Sequence, residues 1–124
     1  MARRIAVDLD GTLVGLVNGQ LALRSAIVRA VRHFRGDGNT IILWTFGNRA
    51  WWMQVTQKFP ALRELFDEVY TRDDVPRHPE AIKDVRAINA DILIDNEPAH
   101  LAWAKREGLA DRYLLVPTFG EDPH

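Results

Sequence analysis

Apolar and polar residues follow one another along the chain in blocks that predict strands and helices in turn. Three short runs are almost continuously apolar and rich in β-branched residues, which is typical of parallel strands covered on both faces. These runs are residues 5–9, 40–45 and 92–95. Weaker strand candidates are residues 68–70 and 113–116, and Asn18-Gly19 predicts a tight hairpin turn within residues 16–21.

The segments between the strands carry the signals of helices. The segment 25–35 shows an apolar stripe, and the segment 48–59 has Asn48 as an N-cap. The segment 79–88 has Pro79 in its first turn, and the segment 98–108 ends at Gly108, a residue suited to a left-handed C-cap. The predicted helices cover residues 25–35, 48–59, 79–88 and 98–108. The closing FGEDPH stretch (119–124) is expected to be loosely held.

Strands that alternate with helices predict an α/β fold. We expect a single Rossmann-like three-layer domain over residues 1–124, with a mostly parallel central sheet and a small β-hairpin flap. The composition agrees, because 47% hydrophobic and 27% charged residues are ordinary for a globular protein of 124 residues.

Charge and cysteine content exclude several classes of function. Sixteen Lys and Arg against seventeen Asp and Glu give a net charge of −1, which provides no general attraction to nucleic acid or to an anionic membrane. The absence of cysteine excludes disulfides, thiolate zinc sites and cysteine nucleophiles. No apolar run approaches the length of a spanning helix. We expect a cytoplasmic protein without a membrane partner, for which nucleic acid is a partner only as a substrate.

Polar residues follow each of the three strong strands. Asp8 and Asp10 follow the first, Thr45 ends the second, and Asp95 and Asn96 close the third. Ligands of open parallel sheets bind beyond the carboxyl ends of the strands, so these side chains are the candidates for a site. The simpler alternative is that each one only caps the helix or turn that follows it.

A convergence of these carboxylates would require a compensating cation. Carboxylates roughly 5 Å apart repel by about 3 kcal/mol per pair at an effective dielectric constant near 20. A divalent ion together with Lys83 would balance Asp8, Asp10 and Asp95. Hard oxygen ligands without His or Cys favour Mg²⁺ over zinc.

These residues resemble the four motifs of the haloacid dehalogenase-like (HAD) phosphatase superfamily, in the same order along the chain. The matching stretches are DLDGT (8–12), the threonine of IILWT (41–45), Lys83 and ILIDNEP (92–98). Within the superfamily the chain most resembles the carboxy-terminal-domain phosphatase and NLI-interacting-factor branch. It differs from that branch at Gly11 and Glu97, where a bulkier residue and a serine are common.

The resemblance implies a role for each motif residue. Asp8 would attack the phosphorus of a phosphate monoester and form an aspartyl-phosphate. Asp10 would protonate the leaving group and later activate water. An extended chain turns both aspartates to the same side, and Gly11 lets the backbone leave the strand sharply.

The resemblance also implies the phosphate and metal ligands. The hydroxyl of Thr45 and the amides of Phe46 and Gly47 would bind phosphoryl oxygens, and Lys83 would neutralise charge on the nucleophile and the phosphoryl group. Asp95 would hold Mg²⁺ together with the carboxylate of Asp8 and the backbone carbonyl of Asp10. Asn96 stands where other motif forms carry a second acid, so it would orient a metal-bound water or Lys83, with weaker metal binding as the consequence.

The expected function is that of a Mg²⁺-dependent phosphomonoesterase. Neither interval between the motifs has room for a cap domain, so we expect an open site that takes a phosphate displayed on a macromolecule, either a phosphoprotein or a nucleic-acid end. A small sugar or nucleotide phosphate, with a neighbouring subunit as a lid, is the second choice. A catalytically idle module that binds phosphorylated or peptide partners, and a phosphotransferase to an acceptor other than water, remain alternatives.

Other conspicuous residues receive structural interpretations. Adjacent helix residues point about 100° apart, so we interpret Trp51 and Trp52 chiefly as packing residues. The histidines at positions 33, 78 and 100 lack the mutual spacing of metal ligands. We assign them no catalytic role.

Overall fold

A computed structural model describes residues 2–124 of the chain and shows two sheets. The strands are β1 (Arg4–Val7), β2 (Val14–Val17), β3 (Gln20–Leu23), β4 (Thr40–Trp44), β5 (Glu68–Tyr70), β6 (Ile92–Asp95) and β7 (Tyr113–Leu115). The α-helices are α1 (Ser25–Gly36), α2 (Arg49–Lys58), α3 (Ala61–Leu65) and α4 (Pro98–Glu107). Short 3₁₀ helices form at Val85–Ile88 and Ala110–Arg112. Within residues 2–124, every helix is too short or too polar to cross a membrane.

The central sheet has the strand order β5-β4-β1-β6-β7, and its four strand pairings are parallel. Strands β2 and β3 form a separate antiparallel hairpin. The predicted α/β architecture with a parallel sheet and a hairpin flap is therefore confirmed. Because β1 lies between β4 and β6, the carboxyl ends of the three strongest predicted strands are neighbours at one edge of the sheet.

Helices cover the central sheet on both faces. Strand β4 shows the division: Ile41 and Leu43 join an apolar cluster with residues of α1 and α2, while Ile42 and Trp44 join a second cluster with residues of α4. The side chains of these four residues are almost completely buried. Burial on both faces explains why the strand sequences are continuously apolar instead of alternating.

The predicted helix over residues 79–88 is wrong, apart from its last turn, which is the 3₁₀ helix Val85–Ile88. Ala81 has a φ of +55°, which an α-helix excludes. The backbone N–H of Lys83 donates to His100 Nδ1 at 3.1 Å, and the Lys83 carbonyl accepts from the Tyr113 hydroxyl at 2.7 Å. Distant partners thus satisfy the backbone groups that a helix would have used.

The prediction that residues 119–124 are loosely held is also wrong. The backbone groups of Leu16 and Glu121 exchange two hydrogen bonds of 2.9 Å, and Phe119 N–H donates to the Gly11 carbonyl at 2.8 Å. Backbone pairing of this kind is independent of side-chain polarity, which is why the polar sequence did not reveal it. We call residues 117–124 the C-terminal segment.

Gly15 is expected to be required for the packing of the C-terminal segment. A Cβ atom at Gly15 would lie 2.0 Å from the carbonyl oxygen of Phe119, so Gly15→Ala forces the segment away from the hairpin. We expect a loss of about 1–3 kcal/mol in the free energy of unfolding and faster proteolysis within residues 117–124. Thermal unfolding and limited digestion measure both effects.

Gly36→Ala is the matched control, because a Cβ atom at Gly36 meets no atom within 4 Å. The control should digest at the wild-type rate. Indistinguishable digestion of the two variants would contradict the close approach between Gly15 and Phe119.

Candidate active site

The carboxyl ends of β1, β4 and β6 meet at a cavity of about 830 Å³. Asp8 follows β1 directly, Thr45 follows β4, and Asp95 is the last residue of β6. All three side chains are buried. Every residue that the sequence analysis placed in the site lines this cavity: Asp8, Asp10, Thr45, Phe46, Gly47, Lys83, Asp95 and Asn96.

Lys83 joins two of the strand ends through a buried cation. Its Nζ lies 2.8 Å from Asp8 Oδ1 and 2.7 Å from Asp95 Oδ2, and the residue is only 1% exposed. Residues 82–84, which are neither helix nor strand, deliver this side chain to the site. One ammonium group is thus shared by two buried carboxylates.

Burial dominates the electrostatics of this cluster. It raises the pKa of Asp8 to about 7, although the charge of Lys83 pulls that pKa down. Burial alone would lower the pKa of Lys83, but the charges of Asp8 and Asp95 outweigh it and place the pKa above its usual value. Lys83 therefore stays protonated near neutral pH.

Gly11 makes the turn that separates Asp8 and Asp10 from the hairpin. Its φ of +81° lies in the left-handed region, and a Cβ atom there would lie 2.4 Å from the Asn96 side chain. The turn brings the Thr12 hydroxyl within 3.0 Å of Asp8 Oδ2, to which it donates. The expected sharp exit from the strand after Asp10 is confirmed.

Asn96 turns one end of its amide toward a group of oxygen atoms. That terminal atom lies 2.9 Å from Asp8 Oδ2, 3.0 Å from the carbonyl oxygen of Asp10 and 3.1 Å from Thr12 Oγ1. The other terminal atom lies 3.0 Å from Thr118 Oγ1. With its nitrogen inward the amide directs two N–H groups at three oxygens that can accept, whereas with its oxygen inward it accepts from Thr12 and faces two acceptors.

The loop after β4 lines the cavity with Thr45, Phe46 and Gly47. Thr45 Oγ1 accepts from the Gly47 N–H at 2.9 Å, and the Asn48 side chain caps α2 by accepting from the Trp51 N–H at 2.8 Å. Phe46 is 39% exposed, and its ring centre lies 5.3 Å from Lys83 Nζ. The predicted Asn48 cap is confirmed, and the start of α2 faces the cavity.

Two residues outside the expected set contact Asp10. The indole Nε1–H of Trp51 donates to Asp10 Oδ1 at 2.8 Å, and His124 Nε2 lies 3.3 Å from Asp10 Oδ2. Trp51 also packs against the core, as expected, but the packing interpretation missed this bond. One signal was available, because long helical side chains point toward the N-terminus of their helix and Trp51 lies in the first turn of α2.

His100 belongs to the same network, although the sequence analysis assigned it no role. Its Nδ1 accepts from the Lys83 N–H, and its Nε2 lies 3.6 Å from Asp95 Oδ2. Burial lowers the pKa of His100, partly opposed by the charge of Asp95. The ring is therefore neutral at neutral pH and fixes the backbone from which Lys83 reaches the carboxylates.

No family model and no curated protein matches the sequence. Solved structures do match the fold. A variant of the fission yeast RNA polymerase II CTD phosphatase Fcp1 bound to beryllium fluoride has a TM-score of 0.67 at 16% identity, over 95% of this chain and 42% of that one. A chain of the Pnkp1/Rnl/Hen1 RNA repair complex has a TM-score of 0.64 at 19% identity, over 99% and 44%.

The chain spans less than half the length of these solved structures. At 16% and 19% identity, the likeness establishes the fold. The protein has the haloacid dehalogenase-like fold that its sequence motifs resemble, and the CTD phosphatase is among the structures that share it.

Proposed function

We propose that this protein is a Mg²⁺-dependent phosphomonoesterase that acts through an aspartyl-phosphate on Asp8. The observation that carries the proposal is the buried Lys83, bonded to Asp8 and Asp95 beside Asp10 and Thr45 in one cavity. Such a cluster costs folding energy, and a site for a phosphoryl group explains why it exists. The fold shared with a CTD phosphatase supports the same proposal.

The oxygen atoms around Asn96 fit a magnesium ion. Octahedral Mg²⁺ with bonds of about 2.1 Å places adjacent ligand atoms about 3 Å apart. The inward atom of the Asn96 amide lies 2.9 Å from Asp8 Oδ2 and 3.0 Å from the Asp10 carbonyl oxygen. Among residues 2–124 no three His, Asp or Glu side chains group to hold a metal, and this carbonyl and this amide supply the further oxygen ligands of the proposed site.

We therefore assign Asn96 Oδ1, Asp8 Oδ2 and the Asp10 carbonyl as the protein ligands of Mg²⁺. Asp95, which the sequence analysis placed in this set, has its oxygens engaged elsewhere. Its Oδ2 accepts from Lys83 and its Oδ1 accepts from the Glu97 N–H at 3.0 Å. Asp95 would then hold Lys83 in place. When bound, the ion withdraws charge from the phosphoryl oxygens and lets an anionic nucleophile approach.

In the first step, Asp8 Oδ1 forms a bond to phosphorus while the ester P–O bond breaks. Asp10 gives its proton to the leaving oxygen, which departs as an alcohol. Lys83 lies 2.8 Å from the attacking oxygen and offsets the negative charge that accumulates there. The Thr45 hydroxyl and the Phe46 amide would bind the transferred phosphoryl oxygens, and the Gly47 amide would join them on exchanging its bond to Thr45 Oγ1 for one to the phosphoryl group.

In the second step, water attacks the phosphorus of the aspartyl-phosphate. Asp10 takes a proton from this water as the new P–O bond forms and the bond to Asp8 breaks. Inorganic phosphate leaves, Asp8 is restored as a carboxylate, and Asp10 regains its proton. The two aspartates thus return to their starting states within one cycle.

The substrate class follows from what covers the site. Between Asp10 and Thr45 the chain forms the hairpin, α1 and β4, and between Thr45 and Lys83 it forms α2, α3 and β5, so neither interval holds a cap domain. Thr118 and His124 of the C-terminal segment also line the cavity. A small metabolite would not be enclosed by such a site. We propose a phosphate displayed on a macromolecule, either a phosphoprotein or a nucleic-acid end.

A panel of phosphate monoesters tests the function. Phosphopeptides, oligonucleotides with terminal phosphates, sugar phosphates and p-nitrophenyl phosphate are incubated with the protein in Mg²⁺ and in EDTA, and released phosphate is measured. We expect Mg²⁺-dependent release with the macromolecular esters turned over best. No release from any ester in Mg²⁺ would contradict the function, and equal release in EDTA would contradict the metal requirement.

Calorimetry tests the ligand assignment separately. We expect one Mg²⁺ to bind the wild-type protein and Asn96→Ala to bind it at least about tenfold more weakly, because the amide oxygen is lost. Asn39→Ala is the control, since Asn39 bonds Arg3 and Phe34 away from the cavity. Equal Mg²⁺ affinity in the two variants would refute the role of Asn96.

A further inference from the structure

The carboxyl group of Asp10 is held from outside its own strand. Trp51 Nε1–H donates to Oδ1 at 2.8 Å, which is a normal length for a strong hydrogen bond. His124 Nε2 lies at the longer distance of 3.3 Å from Oδ2. The two rings meet edge to face with centres 4.9 Å apart. Each oxygen of Asp10 therefore has a different neighbour.

The chemistry of the indole distinguishes the two oxygens. An indole N–H only donates, so Oδ1 must act as an acceptor and cannot hold a proton that points toward Trp51. Oδ2 is the oxygen that the indole leaves free for the proton that Asp10 delivers to the leaving group. Oδ2 lies close to the loop that would bind phosphate. A Cβ atom built on Gly47 of that loop would be 3.8 Å from Oδ2 and 3.2 Å from Thr45 Oγ1.

The indole is itself held in place. The Asn48 side chain accepts from the Trp51 backbone N–H, and the Gly47 backbone approaches so closely that a Cβ atom there would lie 3.0 Å from Trp51 Cδ1. A carboxyl group without such a partner turns easily about its terminal torsion, because that torsion has broad minima. A rigid donor on one oxygen removes this freedom.

We propose that Trp51 is a positioning residue for Asp10, which keeps the proton-carrying oxygen directed at the leaving group. The proposal rests on the proposed phosphatase function. In the first step the proton passes from Oδ2 to the leaving oxygen as the ester P–O bond breaks, and in the second step Oδ2 receives a proton from the attacking water. Trp51 touches neither reacting group in these steps.

The dependence of the rate on the leaving group tests the proposal. Trp51→Phe keeps an aromatic ring but removes the N–H. We expect kcat/KM to fall roughly tenfold for an alkyl phosphate, whose alkoxide must be protonated to leave. For p-nitrophenyl phosphate, whose leaving anion is stable without a proton, kcat/KM should change less than twofold.

Trp52→Phe is the matched control. Trp52 is the next residue on the same helix, but it is buried in the core against Phe66 and does not line the cavity. Its variant should keep the wild-type ratio of kcat/KM values for the two esters. An equal loss for both esters in Trp51→Phe, or no loss for either, would overturn the positioning role.

Nuclear magnetic resonance separates this proposal from the proposed function. We expect Asp10→Ala to shift the indole N–H resonance of Trp51 and to accelerate its hydrogen exchange, and Trp51→Phe assigns that resonance. An indole signal that is indifferent to Asp10→Ala would overturn the proposal in an active enzyme. A wild-type protein that hydrolyses neither ester would overturn the function instead, whatever the indole signal does.

Discussion

Asp8→Asn is expected to abolish phosphate release, with a fall in kcat of roughly 10⁴-fold or more. The amide cannot act as the nucleophile that forms the aspartyl-phosphate, and removing a covalent nucleophile is among the most damaging changes to an enzyme. Release of inorganic phosphate from p-nitrophenyl phosphate and from a phosphopeptide measures the effect. Rapid acid quenching with a radiolabelled ester should trap labelled protein only in the wild type.

The same variant should fold at least as stably as the wild type. Asp8 is a buried carboxyl group whose pKa burial raises to about 7, so its ionised form opposes folding near neutral pH. A neutral amide of nearly equal size removes that cost. Thermal unfolding in EDTA checks this, and it separates a loss of chemistry from a loss of structure.

Asp111→Asn is the control, because Asp111 is exposed on the 3₁₀ helix Ala110–Arg112, away from the cavity. It should retain wild-type activity. Substantial turnover by pure Asp8→Asn would refute the assignment of Asp8 as the nucleophile.

Lys83→Met is expected to cost about 3–5 kcal/mol in the free energy of unfolding at pH 8 in EDTA. The methionine fills the buried space but leaves Asp8 and Asp95 without the ammonium group that each bonds. Uncompensated buried carboxylates are strongly unfavourable. Denaturant unfolding measures the loss, and phosphatase activity should disappear as well.

The loss should depend on pH in a defined direction. The folded-state pKa of Asp8 already lies far above its ordinary value, so this group favours folding at acidic pH and loses that contribution as the pH rises toward about 7. Removing Lys83 takes away a charge that holds this pKa down. Asp8 would then be neutral at pH 5.5, and Lys83→Met should be less destabilising there than at pH 8.

Two further variants show whether the loss of stability comes from the buried carboxylates. Adding Asp8→Asn to Lys83→Met should recover part of the lost stability at pH 8, because one of the two buried carboxylates is gone. Lys105→Met, on the exposed side of α4, should lose little at either pH. A Lys83→Met protein as stable as the wild type at pH 8 would show that the buried ion pairs do not stabilise the fold.

The approximate order and type of most elements could be predicted from local sequence. Continuous apolar runs predicted β1, β4 and β6, and Asn18-Gly19 predicted the hairpin of β2 and β3, because burial on both faces and left-handed turn conformations leave clear residue preferences. Because parallel strands end at one edge of the sheet, the residues at these ends are candidates for the active site, namely Asp8, Thr45 and Asp95.

The segment from residue 79 to residue 84 could not be predicted in this way. Its local pattern favours a helix, but the bonds that Lys83 makes with His100 and Tyr113 and the burial of its ammonium group favour a non-helical path. These partners lie 17 and 30 residues further along the chain. Tertiary contacts of this kind outweigh a modest local propensity.

The sequence by itself determined an α/β fold with parallel strands and which residues stand at their ends, because periodicity and strand polarity are local properties. Only the tertiary structure decided that Trp51 bonds Asp10, that the Asn96 amide faces Asp8, and that the C-terminal segment pairs with the hairpin. Each of these contacts joins residues far apart in the chain. Their hydrogen-bond geometry exists only after the sheet has assembled, so a local pattern can direct a side chain such as Trp51 toward the site but cannot specify its partner.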